Sequence, residues 1–272
     1  MHHQQADPPA ALRALIKDFW YLRRDFDAQQ PSFEVAPDGY VELIFTFGSP
    51  CYVATSAGWQ LLPSPFLVGL LPQPLRFRAL GPLELVGIKC FPWALMRLLG
   101  LPPGPAGVQT LAHPLAQLQA PLAQRLAAGN VAAALAEAAR YVGQLPLPPA
   151  GDPVLDKAGS ALLTAAGTGS VRQVAAAAHT TVRTLERKFK QAAGHSVKDV
   201  AGLLRFEQVG HHLWRHPAAS LAGLAQQLGY ADQSHLGREF KRYSGTTPAA
   251  FARKAAQWQQ TVSTDFVAFL LA

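Results

Sequence analysis

The sequence predicts an α+β protein of two domains: a small β-barrel or sandwich with trailing helices, then an all-helical domain. Three observations carry this. Of the 22 prolines, 20 fall at or before Pro153, and only Pro217 and Pro248 follow. Turn-bounded β-branched and aromatic runs lie upstream of that point, and helical periodicity lies downstream. Charge divides the same way. Residues 1–150 hold 10 Lys and Arg against 9 Asp and Glu, whereas residues 151–272 hold 14 against 8. Nearly all of the formal net charge of +7 is therefore C-terminal. A basic domain joined to a near-neutral one is the footprint of nucleic-acid binding, with a membrane surface or an acidic protein as other readings.

Composition sets outer bounds. A chain of 272 residues is long enough for two cores that need no disulfide or metal support. Hydrophobic content of 49% excludes a disordered chain. No apolar run approaches the roughly 18 residues of a spanning helix. The start, MHHQQADPPA, has neither a basic n-region nor an apolar h-region, so no signal peptide and a cytoplasmic location are expected. Cys51 and Cys90 are too few for a disulfide framework or a four-ligand zinc site.

Residues 1–144 read as the β-rich domain. Its N-terminus, with His2 and His3, reads as frayed. Tyr40–Phe47 (YVELIFTF) is bounded by Pro37-Asp38-Gly39 and Gly48-Ser49-Pro50, a strand between turns. Leu75, Phe77 and Ala79 alternate with Arg76, Arg78 and Leu80, and Leu83–Phe91 gives a further strand. Trp93–Leu99, Leu115–Ala128 and Val131–Val142 read as helices. Residues 145–153 (LPLPPAGDP) are rich in helix breakers and read as a linker. Residues 154–254 are helical throughout, and 255–272 form a tail ending in an apolar run too short to span a membrane.

The helical part repeats itself. Leu185, Arg187, Phe189, Lys190 and Gly194 recur as Leu236, Arg238, Phe240, Lys241 and Gly245, at an offset of 51. Each block follows a short helix, Val171–Ala177 and Leu221–Leu228. Ser170 and Gln173 have capping-box spacing, and Thr181 and Asp232 are placed to cap the second helix of each copy. In those helices Leu185, Phe189 and Ala192, and likewise Leu236, Phe240 and Tyr243, form an inward stripe. Arg183, Arg187 and Lys190, and likewise Ser234, Arg238 and Lys241, share an outward face. One such face is ordinarily a solvated surface. Two matching copies, in the part of the chain that holds the charge, favour a pair of groove-entering helices.

At this level of detail the resemblance is specific. Residues 154–254 resemble the tandem helix-turn-helix domain of the AraC family of bacterial transcription regulators. The stretch Leu228-Gly-Tyr-Ala-Asp-Gln-Ser-His-Leu-Gly-Arg-Glu-Phe-Lys-Arg-Tyr-Ser-Gly-Thr-Thr-Pro248 is similar to that family's signature almost throughout, and Thr181-Val-Arg-Thr-Leu-Glu-Arg-Lys-Phe189 nearly as well. Gly237 departs from it, where the family often has a larger outward side chain. The resemblance implies seven helices, two modules joined by a long helix with Val200, Leu203, Leu204, Val209 and Leu213 as its apolar stripe. It implies that two recognition helices read successive major-groove segments about 34 Å apart. By position, Arg183, Glu186, Arg187, Gln233, Ser234 and Arg238 are the candidates for base edges. Glu186 has a second reading, an ion pair with Lys190. Thr181, Lys190, Lys241 and Arg242 are the candidates for phosphate.

Double-stranded DNA is thus the expected partner, with a small-molecule effector, RNA polymerase and a second copy of the chain as further candidates, and no membrane. Residues 19–100 resemble, more loosely, a small β-rich domain found in some members of the family. The effector site is unknown from the sequence. Glu42, the one carboxylate in an apolar strand, is a candidate ligand contact; otherwise it points to solvent on the polar face or pairs with an arginine such as Arg76. No catalytic constellation is apparent, so no enzyme activity is expected, and neither a cofactor nor a metal is called for. His211, His212 and His216 lack a cysteine or carboxylate at ligand spacing and read as surface histidines. The leading function is a ligand-responsive, sequence-specific DNA-binding regulator. The alternative is a DNA-binding protein whose N-terminal domain only mediates oligomerisation.

Overall fold

Residues 2–27, 29, 31–101, 107–146 and 151–258 are described by the structure, a computed structural model. The chain forms two units, one of residues 1–33, 40–70 and 76–150, the other of 34–39, 71–75 and 151–272.

The first unit is built on two sheets. Strands β1 (His2–Ala6), β2 (Ile16–Asp25), β4 (Val41–Gly48), β7 (Phe66–Val68), β9 (Pro82–Cys90) and β10 (Val108–Thr110) make a six-stranded sheet in the order β1-β2-β9-β4-β7-β10. Strands β3 (Ser32–Val35), β5 (Cys51–Thr55), β6 (Gly58–Leu61) and β8 (Leu75–Ala79) make a second, ordered β3-β8-β5-β6. The strands expected over 40–47, 75–79 and 83–91 are β4, β8 and β9, within one or two residues at each end. The N-terminus corrects an expectation. His2 and His3 are not frayed but pair with Arg23 and Leu22 of β2.

β2 escapes a pattern search because it does not alternate. Seven consecutive residues, from Asp18 through Leu22 with Ile16 and the half-buried Lys17 before them, leave no polar face. β9 is likewise buried at all but two positions, Pro82 and Glu84. Central strands covered on both faces read as continuous apolar runs. A helix supplies part of that cover: α3 (Val131–Gly143) packs on β1 and β2. Trp20 lies over the backbone of its cross-strand partner Gly87, where any Cβ would come within 2.0 Å of the indole. Glycine is therefore required at that position for close approach. The helices expected at 93–99 and 115–128 both begin with a 3-10 turn, Pro92–Ala94 and Pro114–Leu118, before α1 (Leu95–Leu99) and α2 (Gln119–Ala127). Proline at the first position of each turn suits that tighter start.

Glu42 finds a lysine where an arginine such as Arg76 was expected. Its side chain, 14% exposed, makes an ion pair of 2.9 Å with Lys89, 11% exposed. Register explains it: Glu42 stands directly opposite Lys89, which in turn stands opposite the buried Asp18. Arg76 lies in the other sheet, on β8. A carboxylate neutralised in this way is part of the sheet's internal charge balance, with Lys89 in the place expected of an arginine. Cys51 and Cys90 are both buried. Burial pushes the Cys51 thiol up to about 12 and raises Cys90 too, assisted there by the Glu42 and Asp18 carboxylates.

The second unit contains helices α4 (Pro153–Thr164), α5 (Val171–Ala177), α6 (Val182–Ala193), α7 (Val197–Arg215), α8 (Leu221–Gln227), α9 (Gln233–Ser244) and α10 (Pro248–Trp258). Helix α4 begins inside the stretch read as linker. Asp152 caps it by accepting from the Val154 N–H, with Pro153 at the first helical position. Residues 147–150 of that stretch lie outside the described residues. So do 259–272 of the tail, whose residues 255–258 continue α10. The connecting helix is α7, and Val200, Leu203, Leu204, Val209 and Leu213 are all buried in it. After α4 the chain turns through Gly167 at φ 74°, where a Cβ would sit 2.2 Å from the Ala201 carbonyl oxygen. Only glycine allows that approach of the turn to α7.

Glu42→Ala is expected to destabilise the protein by about 1–3 kcal/mol in urea unfolding, because it removes one of the two carboxylates that stand opposite the buried Lys89. Lys89→Met, which takes the cation from both carboxylates, should cost more, about 3–5 kcal/mol. A Lys89→Met variant no less stable than Glu42→Ala would contradict this account.

Candidate nucleic-acid interface

Each module places a solvent-facing helix on a buried pair. In the first, the short α5 buries Val174 and Ala175, and α6 buries Leu185, Phe189, Ala192 and Ala193. In the second, α8 buries Leu224 and Ala225, and α9 buries Leu236, Phe240, Tyr243 and Ser244. The repeat legible in the sequence is thus a repeat of packing. Both helices of interest begin on a side-chain cap. Thr181 accepts from the Thr184 N–H at 3.2 Å, and Asp232 from the His235 N–H at 2.6 Å. Both end at a left-handed glycine, Gly194 and Gly245. The Ser170–Gln173 capping box is formed, and Ser196 with Asp199 makes a second at the start of α7. The turn of the first module carries a residue that sequence reasoning missed: His179 takes φ 50° where Gly229 takes 71° in the second.

The outward faces are as follows. Arg183, Arg187 and Lys190 on α6 are exposed, as is the capping Thr181. Arg187 donates to the Gln191 side chain at 3.3 Å. On α9, Gln233, Ser234, Arg238, Lys241 and Arg242 are exposed, and the Arg242 guanidinium lies 5.3 Å from the Tyr243 ring centre. The structure therefore brings nine of the ten candidate DNA contacts onto the open faces of two capped helices. Glu186 is half-buried where the other nine are exposed, and it has a backbone partner in place of Lys190. Its carboxylate accepts from the Val197 N–H, at the start of α7, at 3.4 Å. The contact follows from its place on the flank of α6, beside the turn into α7. Gly237 occupies the matching position of α9, and a Cβ there would meet nothing within 4 Å.

A different position pins each helix to its module. Lys188 of α6 pairs with Asp152 at the start of α4, and Glu239, 51 residues later, pairs with Arg205 of α7 at 3.2 Å. Neither pairing is visible as a motif. The one available signal was their place on the repeat, between the inward stripe and the outward face. Burial raises the Asp152 carboxyl, but the Lys188 ammonium and the Val154 N–H outweigh it and hold the group below the usual carboxylate range. Asp199 behaves in the same way, held down against burial by the Ser196 hydroxyl and N–H. Of the three histidines singled out, His211 sits 3.6 Å from Glu207, and the His212 and His216 rings lie 5.1 Å apart, tilted at 54°. Among the described residues there is no group of three His, Cys, Asp or Glu side chains placed to hold a metal.

Residues 174–254 match the family model described as a helix-turn-helix domain. Residues 174–254 form an AraC-type helix-turn-helix domain. Domains of this type bind DNA in transcription regulators. Residues 4–110 match a domain of unknown function (DUF6597). Several solved structures are similar. ToxT from Vibrio cholerae O395 is 9% identical over 92% of this chain and 97% of its own, with a TM-score of 0.49. The DNA-binding domain of AdpA, solved in complex with a target DNA, is 25% identical over 41% of this chain and 97% of its own, with a TM-score of 0.35. An AraC-type regulator from Chromobacterium violaceum is 23% identical over 39% and 94%, also at 0.35. No curated protein matches the chain. No helix among the described residues is long and apolar enough to cross a membrane.

Two outcomes test this geometry. Gly237→Ala is expected to stabilise the AraC-type domain by about 0.5–1 kcal/mol in urea unfolding, through helix propensity alone. The Asp152 and Asp199 contributions are complete above their unfolded value near 4 and are lost as pH falls through the lower folded values. Asp152→Asn with Asp199→Asn should therefore flatten the fall in stability between about pH 5 and pH 2. An unchanged slope would remove both groups from the acid limb.

Proposed function

We propose that this chain is a sequence-specific transcription regulator in which α6 and α9 enter successive major-groove segments of one duplex. The observation that carries the reading is the matched pair of helices, each capped at its start and each with a cationic face left open to solvent. Arg183 and Arg187 on α6, with Gln233, Ser234 and Arg238 on α9, are the base-reading residues of this proposal. An arginine fork suits guanine O6 and N7, and glutamine suits adenine N6 and N7. Thr181, Lys190, Lys241 and Arg242 take phosphates, which adds affinity and salt dependence without sequence information. Glu186 serves the joint with α7 instead of a base.

The N-terminal unit is, in this reading, the input: a separate β-sheet body with its own core, joined to a DNA-binding unit and modulated by a small ligand. Thermal denaturation of the full chain across a metabolite panel tests that part. A ligand raises the melting temperature by mass action. A shift that depends only on protein concentration would favour the oligomerisation role instead.

Selection of duplexes from a random library is expected to yield a two-part site. Arg187→Ala and Arg238→Ala should each cost about 1–3 kcal/mol on that site and relax preference at one base pair. Lys190→Ala and Lys241→Ala should weaken all sequences alike and lower the salt slope by about 1 each. Wild-type affinity and specificity in both arginine variants would overturn the assignment.

A further inference from the structure

The two ion pairs that pin the recognition helices are not equivalent. Lys188 and Asp152 join α6 to the first helix of its own module, whereas Glu239 and Arg205 join α9 to the connecting helix α7, with the charges reversed. Only Arg205 reaches further. Its Nη1 donates to the Gly167 carbonyl at 2.8 Å, in the turn that ends α4 of the first module. Its Nη2 faces both Glu239 carboxylate oxygens, at 3.3 and 3.2 Å. The guanidinium carbon stands 5.3 Å from the Tyr230 ring centre. The side chain is 13% exposed, so water competes little for these contacts.

The surrounding backbone is equally close. Gly167 approaches α7 where no Cβ fits, and a Cβ on Gly229 would lie 3.3 Å from the Thr168 carbonyl oxygen. The helix-turn-helix turn of the second module thus rides on the turn that ends α4 in the first. Apolar side chains packed across such a joint tolerate small slips. A planar guanidinium holding a carbonyl on one side and a carboxylate on the other tolerates far less, because its donors diverge at fixed angles.

DNA makes that rigidity consequential. One added base pair rotates the second half-site by about a tenth of a turn and moves it several ångströms along the axis. We propose that Arg205 is a positioning residue for operator spacing: it touches no DNA, and it fixes the distance and phase at which α6 and α9 meet the duplex. The proposal rests on the reading of those two helices as the DNA-reading pair. It assigns the reading of half-site spacing, as distinct from half-site sequence, to a joint buried behind both helices.

The test uses the full chain and a duplex selected by the wild-type protein from a random library. Footprinting defines the two protected segments, and one or two base pairs are then inserted between them. Wild type is expected to lose about tenfold or more per inserted base pair, as for a mismatch. Arg205→Lys keeps the charge but cannot hold both partners, and Glu239→Gln frees one side of the fork. Both should bind the selected duplex several-fold more weakly and pay a smaller spacing penalty, about threefold or less. Lys188→Met, which loosens α6 within its own module, should keep the wild-type penalty. Should Arg205→Lys fail to fold, as judged by circular dichroism and melting, Glu239→Gln decides alone. A wild-type spacing penalty in the folded variants overturns the proposal. So does a wild-type protein indifferent to spacing, although DNA binding would then still stand. Selection that enriches no sequence at all would instead sink the underlying DNA-reading assignment.

Discussion

One helix has to serve two cores. Helix α7 buries Val197, Val200, Leu203, Leu204, Val209 and Leu213 among its 19 residues, and both modules are organised around it. A single 19-residue helix cannot be apolar all round and still remain solvated at any face. Its polar positions are therefore spent where they tie elements together. Asp199 closes the capping box, and Arg205 reaches Gly167 and Glu239. Everything proposed about DNA depends on this helix, because it packs against both α6 and α9.

The two recognition helices show how the same physical device can be encoded twice with different residues. A threonine caps one and an aspartate the other. A lysine–aspartate pair pins one, and a glutamate–arginine pair the other. The outward faces are not identical either, with Arg183 matched by Ser234 and Glu186 by Gly237. Scaffold and readout are thus separable. Inward positions repeat because the packing repeats, whereas outward positions diverge because two half-sites need not share a sequence.

The N-terminal unit follows another logic. Its central strands β2 and β9 are covered on both sides, and the charge they do carry is arranged in register, with Asp18 opposite Lys89 and Lys89 opposite Glu42. Charges so enclosed cost stability unless each meets its counterpart. The sheet therefore needs its register to hold, since a slip of one residue would turn each of these groups to the opposite face.

By itself the sequence determined the helical unit almost completely. Caps, an inward stripe at helical spacing and a repeat offset of 51 are local, periodic signals, and Ser170, Thr181, Leu185, Phe189, Asp232 and Phe240 behave as their positions dictate. Strand β4 was legible for the same reason, bounded by turn residues on each side. Tertiary structure alone decided the rest. Strand β2 became recognisable only once α3 and its neighbouring strands were seen to cover it. Glu42 acquired Lys89 as its partner because β9, distant in sequence, lies beside β4. Glu186 was drawn to the start of α7, and Arg205 to two modules at once. In each case the deciding contact joins residues that no helical or strand period relates. Periodicity tells a side chain which way to face, and only the fold supplies what it finds there.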